Sequence, residues 1–189
     1  MKPVYLLTGR PGTGKTSIIK QVVAELGGRA GGFYTEEIRE HGTRQGFRLV
    51  TLDGCNVVLA HVSIRSPYRV SKYGVDIDSL DRVGVTALHQ AEARDDFVVV
   101  DEIGKMELFS ADFKETVLRL IEGEKRVLGT IMLNSHPWAD DIKRKPQVNL
   151  VEVTRDNHPR VLEEIRCWLQ ASDATRDEAK HYTGSPGPD

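Results

Sequence analysis

Apolar residues recur along this chain with two different spacings. Short unbroken runs, "PVYLLT" at 3–8, "FVVV" at 97–100, "RVLGTIML" at 126–133 and "NLVEVT" at 149–154, read as strands, most of them buried on both faces. Between them the spacing turns helical. "KTSIIKQVVAEL" places Ile18, Ile19, Val22, Val23 and Leu26 on one face, and the Gly pair at 27–28 stops it. "DIDSLDRVGVTALHQAEAR" opens on Asp76 as a cap and continues as a helix that Gly84 weakens. A third helix is expected over 110–122, capped by Ser110, and a fourth in "NHPRVLEEIRCWL", with Pro159 tolerated in its first turn. Strands alternating with helices imply a mainly parallel sheet covered on both faces. One patch breaks that rhythm. "GGFYTEEIRE" and "RQGFRLVTLDG" flank "HGT", a hairpin with Gly42 at its tip, and "NVVLAHV" adds a third antiparallel strand. Residues 64–76 read as irregular, and 134–149 as a loop or frayed helix rich in Lys and Arg.

Composition narrows the picture without changing it. The 189 residues suit one α/β domain over 1–170, followed from Ala171 by a polar tail, 171–189, expected to be disordered and without a role. A net charge of −2 argues against a protein that coats nucleic acid or anionic membrane by bulk charge. No apolar run approaches the ~20 residues of a spanning helix. The two cysteines, Cys55 and Cys167, have neither metal-ligand nor redox spacing, and no secretory signal precedes them. A cytoplasmic monomer with reduced thiols is the expectation.

Chemistry enters at "GRPGTGKT", Gly9 to Thr16, which matches G-x-x-x-x-G-K-[ST] between an apolar strand and an amphipathic helix. Glycines let backbone N–H groups turn inward around phosphate oxygens, and the following helix aims its positive end at the same anion. Gly9, Arg10, Pro11, Gly12, Thr13, Gly14, Lys15, Thr16 and Ser17 are the expected nucleotide contacts. Lys15 would meet the β- and γ-phosphates, and the Thr16 hydroxyl would ligate Mg²⁺. The bland alternative is a Gly-rich turn with a solvated lysine.

Two carboxylates, Asp101 and Glu102, end the run "VVV". A phosphate loop needs a second acid at the end of a neighbouring strand to hold the metal, and Asp101 fits that place with Thr16. Glu102, one residue on, is sent by the pleat to another side, where a carboxylate can orient an attacking water and take its proton. This leans toward hydrolysis; the plain alternative is a cap or a lysine partner.

These blocks together, "GRPGTGKT", "GGFYTEEIREHGTRQGFRLVTLDG" and "VVVDEIGKMELFS", resemble the small P-loop nucleoside-triphosphatases that include the thermophilic nucleotide phosphatases and the cancer-related nucleoside-triphosphatase. "LGTI" at 128–131 and "VTRDN" at 153–157 extend the likeness across residues 1–169. The resemblance implies a three-layer P-loop NTPase fold with an extra strand between the P-loop strand and the metal-acid strand. It implies Mg²⁺-dependent, slow hydrolysis of ATP, GTP, CTP and UTP to diphosphate and phosphate with broad base tolerance. It supports Gly12, Gly14, Lys15 and Thr16 as nucleotide ligands, Asp101 as metal acid and Glu102 as base. The family commonly follows its last-strand Asn with Arg; here Asn157 is followed by His158 and Pro159. Asn157 is carried over as a nucleotide contact, and no Arg role is carried to His158.

Transferring a phosphoryl group spreads charge that a further cation would stabilise. Lys105 and Arg44 are the catalytic candidates for it, with Arg144 in "IKRKP" behind them; a surface lysine and a decorated hairpin are the plain readings of the first two. Two other functions stay open: a nucleotide or small-molecule kinase with an acceptor pocket built from 64–76 and 134–149, and a nucleotide-switched protein that binds RNA or another partner.

Overall fold

The computed structural model describes residues 2–182. Its strands are β1 (Val4–Thr8), β2 (Ala30–Glu40), β3 (Thr43–Thr51), β4 (Asn56–His61), β5 (Arg69–Val70), β6 (Tyr73–Val75), β7 (Phe97–Ile103), β8 (Arg126–Ile131) and β9 (Val148–Glu152). All lie in one sheet, ordered β5-β6-β4-β3-β2-β7-β8-β1-β9. The run β2-β7-β8-β1-β9 is parallel, and β3, β4, β6 and β5 extend it antiparallel from one side. The expected extra strand is β8, seated between β7 and β1.

The unbroken apolar runs are explained by burial on both sides. Along β1, Val4 and Leu6 join one core while Tyr5 and Leu7 join the other; along β7, Val98 and Val100 part from Phe97 and Val99 in the same way. The helices α1 (Lys15–Glu25) and α6 (His158–Tyr182) cover the Tyr5 side, with Ile18, Ile19 and Val22 packed beside Ile165 and Trp168. The helices α3 (Thr86–Arg94), α4 (Ala111–Glu122) and α5 (Pro137–Lys143) cover the other side. Three layers result.

Both expected side-chain caps form: Asp76 accepts from Ser79 N at 3.0 Å, and Ser110 accepts from Phe113 N at 2.9 Å. Asp76 opens a short helix α2 (Ile77–Ser79), which widens into a π-helical stretch, Leu80–Val85, before α3. At the hairpin tip, His41 and Gly42 both have positive φ, 47° and 79°, as a two-residue turn matched to strand twist requires.

Two expectations need correction, and a third, open between loop and frayed helix, is decided for the helix. Residues 64–76 contain β5 and β6, a hairpin whose strands of 2 and 3 residues are too short to show a period. Residues 134–149 contain α5, which starts on Pro137, buries Ala139 and Ile142, and takes the Asp140 carboxylate back to Ser135 Oγ and His136 N. The last helix continues past Ala171 to Tyr182, because that polar stretch has no Gly or Pro before Gly184 to stop it. Residues 183–189 of the expected tail lie outside the described residues.

Candidate active site

The loop between β1 and α1 turns on glycines with positive φ: Gly9 at 137°, Gly12 at 78° and Gly14 at 91°. A Cβ on Gly9 would lie 2.4 Å from Val153 O, so the loop is held tightly against the end of β9. Gly12 is open, with nothing within 4 Å of its would-be Cβ. Lys15 arches back over the loop, its Nζ donating to Gly9 O at 2.8 Å and Arg10 O at 3.1 Å, and Thr13 Oγ1 donates to Arg10 O at 3.0 Å. Helix α1 begins at Lys15, so its unpaired N–H groups and positive end face into the loop.

Asp101 is almost wholly buried at the end of β7. Its Oδ1 accepts from the Thr130 hydroxyl of β8, and its buried Oδ2 has no hydrogen-bond partner. Burial pushes the Asp101 carboxyl up; Thr130, the Thr16 hydroxyl, Lys15 and Lys20 all pull it back. Thr16 therefore stands close enough to favour the anion, without the geometry of a full hydrogen bond to Oδ2. A hard divalent cation takes oxygen ligands of this kind, and an orphaned carboxylate oxygen beside a hydroxyl fits one. The pairing of Thr16 with Asp101 expected from the sequence is thus present in space.

Glu102 follows, partly exposed, and its carboxyl is pushed up by burial first and by the Asp101 charge second, with Lys15 opposing. A third acid lies close by. Glu107, in the 3₁₀ turn Glu107–Phe109 after β7, is buried, and its carboxyl is pushed up to about 8 by burial and by Glu102. Gly104 separates the two: a Cβ there would lie 2.9 Å from Glu102 Oε1 and 3.0 Å from Glu107 Oε2. Sequence reasoning missed Glu107, whose only signal is an acid within the apolar "MELF", and Thr130, the one hydroxyl in "RVLGTI".

The expected cations divide. Lys15 lies near enough to Asp101 and Glu102 to favour their charged forms. Arg44 does not: its Nε donates to Tyr73 Oη at 3.1 Å, its Nη1 to Glu37 at 2.7 Å, and its guanidinium lies over Phe47. It knits β3 to β6, as the decorated-hairpin reading has it. Lys105 is exposed in the turn after β7. Arg144 pairs with Asp141 on the outside of α5. Lys20 was not foreseen; it bonds Glu36 on β2, lies over Tyr34, and adds positive potential at Asp101.

Asn157 has a structural task of its own. Its Oδ1 accepts from Thr154 N at 2.8 Å and its Nδ2 donates to Glu152 O at 2.8 Å, so its amide staples the loop after β9. That staple delivers His158 to the phosphate loop, where a Cβ on Gly14 would meet its Cδ2 at 2.8 Å. Arg10, Pro11, Gly12 and Ser17 are exposed around the same opening.

The sequence and the fold recur in known proteins. Residues 4–166 match the family described as NTPase. The nucleoside-triphosphatase THEP1 of Thermotoga maritima is 46% identical over 165 residues, spanning 87% of this chain and 94% of the relative. A crystal structure of THEP1 from Aquifex aeolicus superposes with a TM-score of 0.79 at 35% identity, covering 86% of this chain and 96% of the other. The solution structure of a human cancer-related nucleoside triphosphatase does so with a TM-score of 0.76, also at 35% identity, covering 91% and 99%. The fold and the family resemblance read from the sequence are borne out, and the chain belongs to the nucleoside-triphosphatase family of P-loop proteins.

Proposed function

We propose that this protein hydrolyses nucleoside 5′-triphosphates to the diphosphate and phosphate, with Mg²⁺ as cofactor and Glu102 as the group that receives the proton of the attacking water. The observation that carries this reading is the orphaned, buried Oδ2 of Asp101 beside Thr16, with Glu102 next in the chain. Thr16 and Asp101 would hold the metal, which supplies charge neutralisation at the β- and γ-phosphoryl oxygens when bound. The N–H groups of Gly12 to Thr16 and the Lys15 ammonium grip the phosphates. Glu102, made more basic by burial and by Asp101, orients water and takes its proton as the γ-phosphoryl leaves the diphosphate.

Phosphate-directed contacts carry little information about the base, which supports activity on ATP, GTP, CTP and UTP alike. Arg44 is engaged by Glu37 and Tyr73, which leaves Lys15 as the cation nearest the reaction and supports a slow rate. No helix among the described residues is long and apolar enough to cross a membrane, and Cys55 and Cys167 are free and exposed thiols. A reducing compartment, the cytoplasm, suits such thiols.

Phosphate release from the four triphosphates, with and without Mg²⁺, tests the reading in wild type and Glu102→Gln. Metal-dependent release on several bases, lost in the variant while nucleotide still binds, is the expected result. Binding without release in the wild type would remove intrinsic hydrolysis as the function.

A further inference from the structure

At the end of the sheet that carries the phosphate loop, a cavity of about 340 Å³ opens beside the turn after β7. Three basic side chains line it, Arg69 from β5, Lys105 from that turn, and His136 from the segment before α5. Its floor is apolar: Val70, Leu108 and Phe109. No acidic residue is among its described lining residues, although the chain as a whole carries a net charge of −2. Such a local excess of one sign, walled by apolar groups, focuses potential on an anion.

The basic groups are not spoken for. Lys105 has neither a hydrogen-bond nor an ion-pair partner among the described residues, in contrast to Lys20, Lys143 and Lys145, which are paired. Arg69 donates once, through Nη2, to the Lys72 carbonyl of its own hairpin. The His136 ring has a buried Nδ1 without a hydrogen-bond partner. Phe109 of the lining forms a tilted pair with Tyr68, ring centroids 5.4 Å apart; the two are 39% and 44% exposed, an aromatic surface left uncovered.

We propose that this cavity is a second binding site, for a small phosphate monoester bearing a flat apolar group, the chemistry of a nucleoside monophosphate. Its phosphate meets Arg69, Lys105 and His136, and its ring lies on Phe109 and Tyr68. The volume, at the low end of the roughly 300–1,000 Å³ of small-molecule sites, suits one compact molecule rather than a length of polymer. The place matters as well. Lys105 adjoins Gly104, where a Cβ would crowd the Glu102 and Glu107 carboxylates, so the occupant stands next to the triphosphate site without sharing its loop.

The test uses the whole chain with its phosphate loop saturated by Mg²⁺ and a non-hydrolysable triphosphate analogue. AMP, GMP, CMP and UMP are then titrated in by calorimetry. Saturable one-to-one binding is expected, weakened at least tenfold by Arg69→Glu and by Phe109→Ala, while both variants bind the analogue as the wild type does. That retained affinity also shows that the variants are folded. The proposal is overturned if monophosphates bind only by displacing the analogue, or if neither variant weakens them. It is equally overturned if a single-stranded oligoribonucleotide binds in an Arg69-sensitive way while monophosphates do not, which would make the surface a nucleic-acid contact. Because the readout is binding to a loaded protein, absence of hydrolysis would leave this result standing.

Discussion

Asp101, Glu102 and Glu107 place three carboxyl groups around one strand end, and each answers a different demand. Asp101 has one oxygen held by Thr130 and one without a partner, which the proposed function gives to a cation. In the proposed reaction Glu102 is the proton acceptor, so Glu102→Gln should lower turnover by about 10²–10⁴-fold while a filter-binding assay shows nucleotide affinity retained. Glu107 is the one that titrates for stability. Its carboxyl is pushed from 4.5 up to about 8, so the folded protein holds a proton that the unfolded chain has released. The associated stability is complete below about pH 4.5 and disappears as pH rises through about 8. Denaturant melts of wild type and Glu107→Gln, which cannot ionise, should therefore diverge: the wild type loses stability relative to the variant from pH 5 to pH 9. Parallel pH profiles would show that Glu107 is already charged at neutral pH. Its setting within the apolar "MELF" is a faint signal, since an acid at the start of a short turn reads as solvated until the chain folds over it.

At the level of elements, the helical stretch after Asp76 shows local preference losing to packing. Gly84 should weaken a helix by about 1 kcal/mol relative to Ala. In the structure its bare Cα faces the sheet, where a Cβ would meet Leu49 Cδ1 at 2.7 Å, Leu80 Cδ1 at 3.1 Å and Phe33 Cε1 at 3.3 Å. Leu49 and Phe33 are fully buried, so neither can swing aside freely. Overpacking costs roughly 1–3 kcal/mol, more than the propensity gained, so Gly84→Ala should lower the thermal midpoint instead of raising it. The strands and long helices were legible because their apolar spacing is a direct record of which face is buried. The β5–β6 hairpin was not, and α5 was so only as a frayed helix, because elements of 2 to 7 residues hold too few repeats for a period to stand out. Arg44 was legible as a motif residue but not as a strap, since its partners Glu37 and Tyr73 lie on different strands.

For the whole molecule, ligand binding and folding are linked. Binding at about 100 times the dissociation constant adds about 2.7 kcal/mol, which in a domain of this size raises the melting midpoint by roughly 5–10 °C. A triphosphate analogue with Mg²⁺ should produce such a rise, and a chelator should remove the metal-dependent part of it. Asp101→Asn should show the smaller, metal-independent rise whether or not Mg²⁺ is added. A variant that still responds fully to the metal would move the metal site away from Asp101.

The long strands and helices, the phosphate loop and the Asp101–Glu102 pair were determined by the sequence alone, because each depends on residues close together in the chain. Periodicity reports burial, and a phosphate cradle needs only consecutive backbone N–H groups and one lysine. What the tertiary structure decided is which distant residues share that space. Thr130 reaches Asp101 because β8 lies between β7 and β1; His158 reaches Gly14 because Asn157 staples its loop; and Arg69, Lys105 and His136 meet around one cavity. Such meetings are set by the packing of elements far apart in sequence, and no local pattern encodes them.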